Sequence, residues 1–465
     1  MLPLAHALSG KQDLPISWQV FAYAAAIVLI VSFVALVVAW REVRFEGDHW
    51  RALPGRLSGL VINRATETLA GLIGVLLLGV SVWAGLYGTE APDRNFTVTF
   101  VFVTFLLGFT LFSVLLGDVF RAFNPWRAIA RAAAAGFRLI AGQAPPPALT
   151  YPERLGRWPA AIGLLLFIWL ELVYGASGAQ TVGLTPRTVA IATLIYSAYT
   201  FVGMALFGIE KWCRRGEIFS VYFEMFARLA PLEVRDGRLG RRPWLFGATG
   251  WGAVPGSVAM ILITIAGTTF DGAQEGLLSA PIGDVFDLLF DDGNGVEPVL
   301  ALRLTSTLFL ALTIGAVAAI YWAGVSGMGT EGSSHSRVRG LGRAFAHSFI
   351  PIGFAYIVAH YFTLFLFQEQ AQFTYLLSDP LGDGSNFFGT AGSGIDYALI
   401  GAETVWYVQV GALVIGHVAA LTMGHDKALA EYRDLKLATR SQYWMLALMV
   451  SFTVLGLTLL ALANA

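Results

Sequence analysis

The stretch PRTVAIATLIYSAYTFVGMALFGIEKWCRR, residues 186–215, decides the fold class. After Arg187 it runs without a charge for about 20 residues, the length a helix needs to cross a bilayer core. It then breaks into Glu210, Lys211, Arg214 and Arg215. An apolar run that empties into basic residues has the form of a transmembrane helix ending on the cytoplasmic side. The basic character continues through Arg228, Arg235, Arg238, Arg241 and Arg242 before the next apolar run begins.

The same form recurs along the chain. Apolar runs lie near 18–40, 67–88, 96–120, 158–178, 187–209, 250–270, 299–326, 344–368, 403–425 and 443–463. The connections after the first, third, fifth, seventh and ninth hold all of the 30 Lys and Arg residues except Lys11, Arg94, Arg187 and Arg303. The pattern predicts an all-α polytopic membrane protein of about ten transmembrane helices, with both termini outside. With no long polar stretch, residues 1–465 form a single membrane domain whose partner is the lipid bilayer.

Composition agrees. Hydrophobic residues make up 56% of the chain and charged residues 13%, about half the charged share of a soluble domain. A net charge of −1 gives no argument for nucleic-acid binding. The single cysteine, Cys213, excludes an intrachain disulfide and a Cys-based zinc or iron–sulfur site. The chain holds no phosphate-binding Walker loop, no His-Glu-x-x-His and no Gly-x-Ser-x-Gly motif.

Two basic connections contain a further helix, near 124–141 and 217–229. Asn124-Pro125 is a helix start, because Asn caps and Pro suits the first helical position. Arg127, Arg131 and Arg138 then share a face opposite Ile129, Phe137 and Ile140. In the second helix, Glu217, Ser220, Glu224 and Arg228 form a polar stripe on an otherwise apolar segment. Both read as cytoplasmic interfacial helices, a collar lying in the interface or packed beneath the spans.

The opposite face is acidic. Residues 271–297 and 369–403 carry Asp and Glu without any Lys or Arg. The run SDPLGDGSN, 378–386, has the Asp, Asn and Gly of a hard-cation loop, and equally of ordinary turns.

Chemistry-bearing residues concentrate in the eighth and ninth spans. Their opposite threading puts His360 level with His417 near the midplane, and His347 level with His425 near the cytoplasmic end. Ionisable groups inside a membrane are costly and need partners. His360 and His417 are therefore expected to face each other and share a proton or a divalent metal, zinc or copper, with Tyr361, Gln409 or Glu171 as a third ligand. His347 and His425 form a second possible proton or cation site, as does Glu171, a carboxylate well inside the fourth span. Interhelical hydrogen bonding is the plainer use of all five. At the amino terminus, LAHAL (4–8) is similar to the end of a signal peptide. Cleavage before His6 would leave an amine and an imidazole on one residue, a copper chelate; an unused histidine in a terminal tail is the alternative.

Several stretches carry a family resemblance: HALSGKQDLP (6–15), NPWR (124–127), SDPLG (378–382), GHVAAL (416–421) and HDKAL (425–429). They resemble a family of bacterial integral membrane proteins, many from actinobacteria, commonly labelled fenitrothion hydrolase. The resemblance implies a bacterial plasma membrane protein that hydrolyses organophosphorus esters; it carries no catalytic residues across. Two functions are thus in view. One is a metal-assisted hydrolase, in which a metal at the histidines polarises a phosphoryl oxygen. The other is a proton- or metal-coupled transporter or copper-handling protein using the same groups.

Overall fold

A computed structural model describes residues 18–143, 146, 148–175, 184–290, 297–329, 335–432 and 434–463. The chain is an all-α polytopic membrane protein. Among the described residues, eight helices are long and apolar enough to cross a membrane. The principal helices are α1 (Trp18–Ala39), α2 (Arg64–Tyr87), α3 (Phe96–Leu116), α4 (Pro125–Ala141), α5 (Trp158–Tyr174), α6 (Pro186–Phe207), α7 (Ile209–Arg215), α8 (Ile218–Ala227), α9 (Ser257–Gln274), α10 (Pro298–Met328), α11 (Ile350–Ala371), α12 (Ala402–Glu431) and α13 (Leu435–Ala463). Of the expected spans, 158–178 and 250–270 appear as the shorter α5 and α9. At 18 residues, α9 is about 27 Å long, close to the thickness of a bilayer core.

Local chemistry sets the helix ends. Asn63, Asn124 and Thr185 cap α2, α4 and α6 by accepting from the backbone N–H three residues on, and Pro occupies the first position of α4 and α6. Gly117 and Gly208 end α3 and α6 at positive φ (90° and 84°), a conformation a Cβ disfavours. Outward rows such as Leu300, Leu304, Leu308 and Leu312 on α10 remain exposed. Spaced one turn apart, they form an apolar face suited to lipid.

Packing divides the bundle. α1 lies against α12 and α13, which also pair with each other, and α11 packs on α12. A Cβ at Gly416 would collide with the Ala355 methyl, so α11 and α12 approach closely at this point, as the small residues around His417 suggest. α2 pairs with α6, and α9 sits centrally against α5, α10, α11 and α13.

Contacts between connections separate the two ends of the bundle. At one end, Arg51 pairs with Arg241 in a small antiparallel sheet of order β1 (Arg51–Ala52), β3 (Arg238–Arg241), β2 (Leu232–Arg235). At the same end Lys427 meets Glu46 at 2.7 Å, and Arg121 meets Glu210 at 3.4 Å. The hairpin turns through Asp236 and Gly237, both at positive φ, the backbone a two-residue turn requires. At the other end the Thr89 N–H donates to Leu381 O and the Phe96 N–H to Pro380 O. The basic connections are thus gathered together, away from the acidic ones.

The two extra helices differ from each other. The far half of α4 lies open, with Leu139 and Ile140 about nine-tenths exposed. The segment expected at 217–229 is instead a core helix. Ile218, Phe219, Val221, Tyr222, Phe223, Met225, Phe226 and Ala227 are all buried, and α8 packs on α3, α5 and α11. Its polar stripe is spent internally. Glu217 caps α8 through the Phe219 and Ser220 N–H groups and also accepts from Asn124 and Tyr196. Glu224 pairs with Arg228 and Arg157. Burial pushes the Glu217 carboxyl above its ordinary range despite those donors.

Candidate functional site

The central polar cluster is organised by Asp271, near the end of α9. His360 Nε2 on α11 donates to Asp271 Oδ2 at 2.8 Å, and the adjacent Tyr361 hydroxyl donates to the same oxygen at 2.7 Å. Gln274 Nε2 holds the other oxygen, Oδ1, at 2.9 Å. The carboxylate is therefore clamped on both sides, and the two side chains of the ion pair are 12% and 10% exposed. A small cavity of about 30 Å³ touches His360 between α9, α11, α12 and α13.

Glu171 is half-buried on α5, which packs on α9. It lies in a π-helical turn, Leu170–Tyr174, that closes α5; such turns recur at functional sites. Asp271, His360 and Tyr361 form one hydrogen-bonded group drawn from α9 and α11.

The expected hydrogen-bonded pairing of His360 with His417 does not form. His417 is fully buried and its Nδ1 donates to Leu413 O, one turn back on α12, at 2.7 Å. Its Nε2 has no hydrogen-bond partner among the described residues. Because a carbonyl only accepts, Nδ1 carries the proton and Nε2 is left as a bare acceptor. The ring of Tyr356, which borders the His360 cavity, lies 6.1 Å from the His417 ring. His360 has turned to a carboxylate instead, a stronger, charge-assisted partner than a second imidazole.

The second expected pair is likewise replaced by backbone bonds. His347 Nδ1 donates to Ala344 O at 2.8 Å, and His425 Nε2 donates to Trp40 O at 3.0 Å. Both are buried. Among the described residues, no group of three or more His, Cys, Asp or Glu side chains is arranged to hold a metal. His6 lies outside the described residues. Tyr361, named as a third ligand, goes to Asp271, and Gln409 is buried on α12.

Asp271 escaped the sequence reading because the apolar run was closed at 270, which placed it in the acidic outer connection. The helix in fact continues to Gln274. The signal was the small residues Thr268, Thr269, Gly272 and Ala273 on either side of Phe270-Asp271, which prolong a close-packing helix face. Glu369 is a second such carboxylate, accepting from Thr104 Oγ1 at 3.2 Å. The Asp379 loop resolves as turn chemistry: its carboxylate accepts from the Asp383 and Gly384 N–H groups and from Ser385 Oγ.

Arg127 builds a separate charge network at the basic end. It meets Glu67 at 2.7 Å and Glu210 at 2.9 Å, and Arg131 meets the same two oxygens at 2.7 Å. Burial works against ionisation of Glu210, but the two guanidinium groups outweigh it and hold the carboxyl below its ordinary range.

No protein-family model, curated protein or solved structure matches the chain. What fold and site together define is a class: a multi-pass α-helical membrane protein with a clamped carboxylate–imidazole pair in its interior.

Proposed function

We propose that this protein is a proton-coupled transporter of the bacterial plasma membrane, with Asp271, His360 and Tyr361 as its proton-carrying site. The observation that carries this reading is the His360–Asp271 bond, 2.8 Å long, between two helices of the bundle. An ionisable pair in that setting is costly, and proton relays are its characteristic use. Moving one proton from His360 Nε2 to Asp271 Oδ2 converts an imidazolium–carboxylate pair into neutral imidazole and carboxylic acid. Tyr361 and Gln274 hold the carboxylate in place in either state. A change in the separation of α9 and α11 would then decide whether the pair keeps its proton.

His417 fits as the next station. Its bare Nε2 is a proton acceptor, and Tyr356 stands between it and the cavity at His360. By the positive-inside rule the basic end of the bundle is cytoplasmic and both termini are outside. Metal-assisted hydrolysis of an organophosphorus ester rests on the family resemblance alone, since His360 is engaged by Asp271 rather than by a second histidine.

The test is proton movement in proteoliposomes containing a pH-sensitive dye, with an imposed pH gradient and potassium–valinomycin for charge balance. Wild type is expected to dissipate the gradient faster than empty liposomes, and Asp271→Asn to lose that excess. Equal rates for wild type and Asp271→Asn would remove the proposal.

A further inference from the structure

A second feature lies apart from the Asp271 cluster: a cavity of about 750 Å³ bounded by α2, α3, α5, α6 and the start of α8. Its size falls in the roughly 300–1,000 Å³ range of ligand sites. Leu78, Phe100, Trp126, Trp158, Tyr196 and Phe219 are among its lining residues, so its walls are apolar and largely aromatic. Along α5 the lining runs from Trp158 to Leu170, a depth of about 18 Å.

One side is open. α5 packs on α8 and α9, whereas α6 packs on α2, and the cavity reaches the surface between α5 and α6. Ile162 and Leu166 on α5, and Ile195 and Tyr199 on α6, line it and are 53%, 62%, 67% and 37% exposed. Each pair is one helical turn apart. The mouth is therefore continuous with the lipid-facing surface of two helices, not with a polar vestibule. Inside, the Ser81 hydroxyl is buried without a hydrogen-bond partner among the described residues.

The end of the chamber nearest the basic connections carries charge. Arg154, exposed, precedes the lining residue Leu155. Glu153 draws Lys211 and Arg215 to the same edge, at 2.8 and 3.5 Å. Cations outnumber the carboxylate there, and such a rim at membrane level attracts anionic headgroups.

We propose that this chamber binds an acyl chain of an anionic membrane lipid, admitted sideways between α5 and α6, with the headgroup at the Arg154–Lys211–Arg215 edge. Lipid in the chamber and protons on Asp271 are separable, and either can be found without the other.

The experiment uses the full chain in phosphatidylcholine vesicles containing phosphatidylglycerol with a diazirine near the end of one acyl chain. After photolysis, labelled peptides are mapped by mass spectrometry. Concentrated labelling of lining residues of α5 and α6, above that of the outward row on α10, is expected. Ala192→Trp, which fills the chamber, should cut that labelling several-fold, and Ile191→Trp, on the exposed face of the same helix, should leave it unchanged. Labelling spread evenly over all lipid-facing helices in wild type would overturn the proposal, whatever the variants do. The same probe on phosphatidylcholine should label the chamber several-fold less; equal labelling would overturn the assignment of an anionic headgroup.

Discussion

His360 Nε2 stands 2.8 Å from Asp271 Oδ2, across the interface of α11 and α9. The bond joins a residue that the sequence marks as functional to one that the hydropathy pattern assigns to the acidic connection after the apolar run. Tyr361 closes the same oxygen at 2.7 Å.

Removing both members should therefore cost less than the sum of removing each alone. Asp271→Ala removes the acceptor shared by His360, Tyr361 and Gln274, an effect of about 3–5 kcal/mol for a broken buried pair. His360→Leu combined with Asp271→Leu should cost less than the two single changes added together. Thermal unfolding of the four proteins in one detergent measures the coupling; simple additivity would mean that the residues act independently.

The Arg127 network gives a graded expectation. Arg127 is 4% exposed and Arg131 is 42% exposed. Arg127→Ala is expected to destabilise by about 1.5–3 kcal/mol, the range for hydrogen bonds to charged groups, and Arg131→Ala by less than about 1 kcal/mol. Equal shifts in melting temperature would contradict the ranking.

That network also predicts acid sensitivity. The Glu210 carboxyl is held below its unfolded value, so its contribution is complete above that value and fades as pH falls through the folded one. Melting temperatures taken from pH 7 downwards should fall in the acid range, with a shallower slope in Arg127→Ala. An unchanged slope in the variant would remove Glu210 as a source of the effect.

Asp426 offers a structural control. Its carboxylate is buried and accepts from Trp40 Nε1 at 2.8 Å and from the Arg44 and Phe45 N–H groups at 2.6 and 3.0 Å, tying the end of α1 to α12. Asp426→Ala is expected to cost about 1–3 kcal/mol per donor left unpaired, with proton movement per folded molecule unchanged. Selective loss of proton movement in a stable Asp426→Ala protein would make it part of the relay.

Much of the fold was legible because hydropathy and charge record a helix crossing a membrane one segment at a time. The Asn124 cap and the apolar runs needed no tertiary information. The burial of α8 did, since a helix with a polar stripe looks the same whether Glu217 faces water or Asn124 and Tyr196. The site was legible by half. His360 announced itself as an ionisable group inside an apolar run, whereas Asp271 sat at a run's edge and only packing shows that it faces inward. Matching His360 to His417 by depth ignored the direction each ring takes around its helix, and a carboxylate on a third helix met His360 instead.

The pairing of His360 can be read directly by solid-state NMR of the protein in lipid bilayers, with ¹⁵N in histidine side chains and ¹³C in aspartate. The account predicts a through-space cross-peak between His360 Nε2 and Asp271 Cγ that disappears in Asp271→Asn. A missing cross-peak in wild type, or a His360 contact with His417 in its place, would contradict it.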